Sequence, residues 1–275
     1  MTSFVKSPRV SVVIPTFNRA LDLERCLNAL VTQTISDFEV LVCDDGSTDN
    51  TFEVVQKFNG LLDIRYDYAS NFGGPARPRN RGIKLARADY IAFLDSDDWW
   101  LPSKLEKSLA SLEVGADLVF HDLWNVTHIH QTIFKSKIKS NQPGSPVYER
   151  LLCSGLVIPN SSIVVRATIL RSIGDINESK EIVAVEDFDM LLRIAQKTDR
   201  FVKIKDCLGF YWNGGGNISA ASSKNIQRTQ AVYQLHLQNL RPAERVRAES
   251  LLAYRIGRIA FLHSDWVTAI SHLKS

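Results

Sequence analysis

YIAFLDSDDWWLP, residues Tyr90–Pro102, joins a short apolar run to a knot of acids. Tyr90-Ile91-Ala92-Phe93-Leu94 has the unbroken apolar character of a buried parallel strand. It stops at Asp95, Asp97 and Asp98. Carboxylates at the carboxyl end of a strand in an open α/β sheet sit where such sheets bind ligands. Three acids so close repel one another unless a cation arrives, and a hard divalent ion with oxygen ligands is the simplest partner. Such an ion would in turn hold a diphosphate. A solvated acidic turn is the plainer reading of a lone D-x-D. The preceding strand and the following Trp99, Trp100 and Pro102 favour function.

Outward from this stretch, strand and helix alternate. Val10–Ile14 reads as a strand, followed by the loop Pro15-Thr16-Phe17-Asn18-Arg19 and a helix over about Ala20–Thr32. Asn18 is placed to cap that helix, and Leu21, Leu23, Leu27, Leu30 and Val31 fall largely on one side of it. Phe38–Cys43 is a second strand, ending in Asp44-Asp45-Gly46, with a helix over Thr51–Phe58. Ile64–Tyr68 is a third strand. The loop Asn71–Asn80, rich in glycine, proline and arginine, leads into another helix. Alternation of this kind predicts a parallel sheet with helices on both faces. Further on, helices are expected at Pro102–Leu112, Val147–Cys153, Ala167–Ile173 and Asp187–Gln196, and strands at Ala116–His121, Ser161–Val165 and Phe201–Ile204. Asn125–Ser145 is polar and weakly patterned, fitting a hairpin or a loop. After Gly214-Gly215-Gly216 the pattern turns wholly helical. The division expected is 1–220 for the sheet domain and 221–275 for a helical extension.

Composition narrows the classes. The 275 residues are 45% hydrophobic and 23% charged, ordinary for a globular protein. A net charge of +3 is too small to imply nucleic acid. No long uncharged apolar run predicts a membrane span, and MTSFVKSPRV lacks a secretory core. Cys26, Cys43, Cys153 and Cys207 have no metal-ligand spacing, so buried reduced thiols and a cytoplasmic setting are expected. Neither G-x-G-x-x-G nor a P-loop is present, which disfavours dinucleotide oxidoreductases and P-loop NTPases.

VSVVIPTFNR (Val10–Arg19), VCDDGSTDNT (Val42–Thr51), NFGG…RNRGI (Asn71–Ile83), YIAFLDSDDWWLP and VEDFDMLLRI (Val185–Ile194) together resemble, in order and spacing, the family 2 glycosyltransferases. The likeness runs from about Val10 to Ser219. It implies a GT-A-type, Rossmann-like, mostly parallel twisted sheet flanked by helices. It also implies an inverting transferase using a nucleotide-diphosphate sugar, a UDP-sugar foremost, Mg²⁺ or Mn²⁺, and a glycan or lipid-linked acceptor. In that pattern Asp45 binds the nucleobase, with Pro15, Thr16, Phe17 and Asn18 around it. Asn71, Gly73 and Arg79 belong to the nucleotide side, as do Ser96 and Asp95, the last toward the ribose. Asp97 ligates the metal, Asp98 assists or orients it, and Asp187, after Glu186, is the general base. Acids before an apolar helical run are also ordinary helix caps, and both roles can coexist in Glu186-Asp187.

One departure stands out. Where many relatives carry Tyr-Arg-x-His-x-x-Asn-x-Ser, this chain has Trp212 for the arginine and Gly214 for the histidine. Trp99 and Trp100 are open to packing or to stacking on a sugar; one is assigned to packing and the other left open. Arg81 reads as a solvated helix residue, and Pro159-Asn160-Ser161-Ser162 as an ordinary turn as readily as an acceptor-side stretch. The arginines of the tail, Arg241, Arg245, Arg247, Arg255 and Arg258, suit either a solvated face or peripheral contact with anionic lipid. The rival readings are a sugar nucleotidyltransferase, which should show a glycine-rich loop where PTFNR stands, and a glycan-binding module without catalysis.

Overall fold

The structure is a computed structural model that describes residues 7–131, 133, 136–215 and 222–273. The chain forms two compact units. The first holds the described residues up to Gln142 with Ile158–Asp175 and Arg200–Gly215. The second holds Pro143–Val157, Ile176–Asp199 and the described chain beyond Gly215. The boundary expected at 220, and the motif residues from Gly216 to Ser219, lie outside the described residues.

Unit 1 is built on one sheet. Its strands are β1 (Val10–Thr16), β2 (Phe38–Asp44), β3 (Asp63–Tyr68), β4 (Tyr90–Phe93), β5 (Trp99–Trp100), β6 (Leu118–Val126), β7 (Ser136–Ile138), β8 (Val164–Arg166) and β9 (Phe201–Trp212). They lie in the order β3-β2-β1-β4-β8-β6-β9-β5, with β7 on β6. β3, β2, β1 and β4 are parallel, as the alternation with helices α1 (Ala20–Val31), α2 (Thr51–Gln56) and α3 (Ala76–Leu85) predicts. Every residue of β1 and β2 is buried, which is why these strands read as continuous apolar runs. Beyond β4 the sheet becomes mixed: β8 runs antiparallel to both β4 and β6. Helix α4 (Lys104–Glu113) covers this half, and α6 (Ala167–Ser172) follows β8.

Close packing holds the parallel half together. A Cβ on Gly82 of α3 would lie 2.5 Å from Val13 Cγ1 and 3.0 Å from Cys43 Sγ, so the helix rests on β1 and β2 only because no side chain stands there. On α1 the buried face is Leu23, Cys26, Leu27 and Leu30; Leu21 and Val31, expected on that face, are exposed. At 100° per residue both lie off the stripe. The four cysteines are free, but only Cys26 and Cys43 are buried; Cys153 and Cys207 are half-buried.

Other expectations shift. β9 continues eight residues past Ile204, pairing with β6 through register shifts at Asp122; its irregular, partial burial hides it from an apolar-run criterion. Asn160–Ser162 is a 3₁₀ turn, and the strand begins at Val164. Within the polar stretch after Asn125, β7 runs antiparallel to β6, as the hairpin reading expects.

Unit 2 is helical: α5 (Val147–Cys153), α7 (Glu186–Ala195), α8 (Ser223–Leu237), α9 (Pro242–Leu262) and α10 (Trp266–Leu273). Among the described residues no helix is long and apolar enough to cross a membrane.

Candidate active site

In unit 1, β1 and β2 end side by side, with Thr16 opposite Asp44. Asp44 is consumed by structure: it accepts from Tyr66 Oη at 2.6 Å and from the Ser47 amide at 2.8 Å. Asp45, one residue on, is buried and points elsewhere. Its Oδ2 accepts the backbone N–H groups of Phe72 and Gly73, each at 3.1 Å. Its Oδ1 is buried without a hydrogen-bond partner, and so is Thr16 Oγ1. Buried polar atoms are almost always paired, so two orphans on adjoining strand ends ask for a ligand.

The loops around them are fixed in place. Gly46, at φ +91°, passes so near Asn71 that a Cβ would lie 2.6 Å from its amide nitrogen. Gly73 also takes a positive φ, +94°. Asn18 does not cap α1. It adopts φ +50°, its Oδ1 accepts from the Thr48 amide, and its own amide donates to Ser47 Oγ. Asp49 takes the capping role, accepting the Ala20 N–H at 3.0 Å. Pro15 is buried within β1, whereas Phe17 is exposed.

The second acid group follows β4. Arg79, itself buried, donates to Asp95 Oδ1 at 2.7 Å. Asn160 Nδ2 reaches the same oxygen at 3.3 Å, and the Asp95 amide donates to Ser161 Oγ. Ser96 is buried between the acids. Asp97 Oδ2 meets Arg19 Nη1 at 2.8 Å, and its carbonyl accepts from Arg25. Asp98 Oδ1 accepts the Trp212 amide at 2.8 Å. Burial, reinforced by Asp95, pushes the Asp97 carboxyl up to about 6 despite Arg19. Burial and then the neighbouring Asp97 and Asp95 drive Asp98 well above the ordinary carboxylate range, against the Ser161 hydroxyl and the Trp212 amide.

Among the described residues no group of three or more His, Cys, Asp or Glu side chains forms a ready-made metal cage. The donor chemistry nevertheless fits a hard dication. Burial first, and then the neighbouring carboxylates, raise Asp97 and Asp98, and the cation at Asp97 is a guanidinium, so oxygen donors and negative charge converge there.

The tryptophans resolve differently. Trp100 is packing: buried, with Nε1 donating to the Ser161 carbonyl at 2.7 Å and Lys104 Nζ 3.5 Å over its ring. Trp99 stacks on Phe210 at 5.0 Å and faces the Arg25 guanidinium at 4.5 Å. Trp212 lies 5.1 Å from that guanidinium, and a Cβ on Gly214 would strike its ring at 2.1 Å. The two departures from the expected motif are thus one packing unit. Arg81 is not a solvated helix residue; it donates to Asp67 and to the Asp44 carbonyl.

Glu186 and Asp187 belong to unit 2, at the start of α7. Glu186 is buried and Asp187 half-buried, with Asp187 Oδ1 accepting the next amide, Phe188 N, at 2.8 Å. Ala184, just before them, holds φ +69°, a conformation that costs a Cβ-bearing residue on the order of 1 kcal/mol or more. Arg19, Arg25, Asn160 and Ser161 escaped functional assignment. Arg19 ends the first motif, the one signal that pointed to it; Asn160-Ser161 has the composition of any turn.

Acids at the ends of β2 and β4, on either side of β1 in a helix-flanked sheet, mark a nucleotide-binding α/β domain. Residues 11–149, just over half of the chain, match glycosyl transferase family 2, and the protein belongs to that family. WfaP of Escherichia coli, a UDP-Glc:alpha-D-GlcNAc-diphosphoundecaprenol beta-1,3-glucosyltransferase, is 27% identical over 225 residues, 81% of this chain and 84% of that protein. The Staphylococcus aureus poly(ribitol-phosphate) beta-N-acetylglucosaminyltransferase TarS is 28% identical over 209 residues, 74% of this chain but 35% of its own length. The crystal structure of TarS 1–349 with UDP-GlcNAc superposes with a TM-score of 0.69 at 21% identity, covering 92% of this chain and 72% of that one. The Pyrobaculum calidifontis mannosyltransferase PcManGT, in complex with GDP-Man and Mn²⁺, superposes equally at 17% identity, covering 98% and 74%. The fold is therefore GT-A. Glycosyl transfer from a nucleotide-sugar donor is the activity that the family and these relatives support.

Proposed function

We propose that the protein is an inverting, metal-assisted glycosyltransferase that moves a sugar from a UDP-sugar to a hydroxyl of a glycan or lipid-linked acceptor. The observation that carries the nucleotide is the orphaned pair Asp45 Oδ1 and Thr16 Oγ1. A uracil N3–H is a donor of the right kind for a buried carboxylate oxygen. Asn71 and Gly73 shape the same pocket by backbone. Asp95, held by Arg79 and Asn160, would take the ribose hydroxyls.

Asp97 would hold Mg²⁺ or Mn²⁺, with Asp98 orienting it. The ion would stabilise the negative charge of the departing diphosphate. Asp187 accepts the proton of the acceptor hydroxyl as its oxygen attacks the anomeric carbon from the face opposite the diphosphate, which inverts that carbon. Similarity to WfaP, which covers most of both chains, favours UDP as the nucleotide and a diphospholipid-linked acceptor. Such an acceptor would put the reaction at a membrane face, the cytoplasmic one in this reading. The exposed Phe261, Leu262, Trp266 and Val267, with Arg258 among them, suit peripheral contact there.

Thermal denaturation with UDP-glucose and with UDP-N-acetylglucosamine, each with and without MnCl₂, tests the donor side. One donor is expected to raise the midpoint, and more so with Mn²⁺. No rise with either donor, with or without the metal, would refute it.

A further inference from the structure

The two residues directly after Asp187 are both fastened to the C-terminal helices. Asp189 Oδ1 lies 2.8 Å from His236 Nε2 of α8, so that nitrogen carries its proton toward the carboxylate. The other ring nitrogen, Nδ1, lies 3.2 Å from Tyr148 Oη of α5. The single proton of that hydroxyl serves either Nδ1 or the His236 carbonyl, 3.1 Å away, and its oxygen receives Asn239 Nδ2 at 3.4 Å. Asp189, His236 and Tyr148 are all buried. Arg193 closes the array on Asp189 Oδ2 at 3.5 Å. On the neighbouring position, the Phe188 ring lies 6.0 Å from Tyr233 of α8, and the Arg255 guanidinium of α9 stands over both rings, at 5.2 and 5.8 Å.

A helix's first turn is its least constrained part, because its leading N–H groups have no partners within the helix. Here that turn also follows a strained Ala184. A polar clamp on residue 189 and an aromatic clamp on residue 188 fix it. A buried polar network rigidifies what it holds.

We propose that His236 is a positioning residue for transfer: through Asp189 it holds the α7 turn that presents Asp187. The inference rests on Asp187 being the base. It makes the C-terminal helices part of the catalytic apparatus and distinguishes them from a removable appendage. The residues assigned to the donor lie in the other unit, so loss of the clamp strikes turnover and spares donor affinity. Misplacement of a catalytic group by about 1 Å costs on the order of 100-fold in rate.

The test uses the full chain, UDP-glucose and UDP-N-acetylglucosamine with MnCl₂, and release of UDP with water as acceptor. His236→Leu is expected to lower kcat about ten- to a hundred-fold with donor KM within about twofold. His236→Gln, whose amide can still donate to Asp189, is expected to stay within about threefold. Tyr148→Phe, which removes one hydroxyl, is the milder variant, expected to lower kcat severalfold with donor KM unchanged. It decides the matter if His236→Leu does not fold. Asp187→Ala is measured alongside. If it abolishes release while His236→Leu and Tyr148→Phe turn over like wild type, the clamp is overturned and the base stands. Full turnover in Asp187→Ala refutes the base and the clamp with it. A fall in kcat equal in the Leu and Gln variants, matched by a lowered melting midpoint, leaves His236 a purely structural residue and overturns the proposal.

Discussion

Asp45→Asn separates two jobs that one carboxylate performs. Oδ2 accepts two backbone N–H groups, from Phe72 and Gly73, so the amide oxygen of an asparagine must take that place. The NH₂ is then forced into the position of Oδ1, the buried atom that lacks a partner. An acceptor becomes a donor where the uracil N3–H is expected. A hydrogen bond to a charged group contributes about 2–3 kcal/mol, and each 1.4 kcal/mol is tenfold in affinity. UDP binding should therefore weaken by about 30- to 150-fold. Cytosine N3 is an acceptor, so CDP should gain relative to UDP and the preference should invert. Calorimetric titration of wild type and Asp45→Asn with UDP and with CDP, both with MnCl₂, gives the four constants. UDP affinity within threefold of wild type, or an unchanged CDP-to-UDP ratio, would refute the placement of the base at Asp45.

Gly82→Ala drives a methyl into Val13 and Cys43, both buried, and should destabilise unit 1 by about 1–3 kcal/mol, read as a lower urea midpoint; an unchanged midpoint would show that α3 can lift off the sheet freely. Burial first, and then Lys104, pushes His121 from 6.5 down to about 3. The unfolded chain binds a proton near pH 6.5 that the folded chain refuses, so this contribution is intact above 6.5 and is lost as the pH falls toward 3. The loss should be about 1.6 kcal/mol between pH 6.5 and 5, and His121→Leu should flatten that slope in urea titrations. Gly214→Ala pushes the Trp212 ring off its seat, and the added Trp212→Ala change should restore the melting midpoint that the single variant lowers; equal midpoints in wild type and Gly214→Ala would disprove the contact.

The parallel half of the sheet was legible because burial on both faces leaves a simple trace, an apolar run ending in acids. VSVVI and FEVLVC announce β1 and β2 for that reason. β9 was only half legible: it lies at a bulged pairing with β6, and its exposed Lys205 and Asp206 break the run. A strand was legible at Ser161–Val165, overlapping β8, but its antiparallel insertion between β4 and β6 was not, since three residues carry no information on direction or neighbours.

The same contrast governs the site. Its acids could be found from sequence because strand ends are found from sequence, and Asp45 and Asp95–Asp98 inherit their places from β2 and β4. Their counter-charges could not. Arg19 pairs with Asp97 across 78 residues and Arg79 with Asp95 across 16, while Arg81, in the same helix as Arg79, turns to Asp67. On α3, residues 79 and 81 are about 200° apart, so two arginines that read alike serve opposite faces. The helical phase that hides Arg79 beside Asp95 is set by Gly82 resting on β1 and β2. A residue without a side chain thus determines which guanidinium reaches the acids. Replacing Gly82 should accordingly disturb nucleotide binding as well as stability, and the two losses should appear together in the same variant.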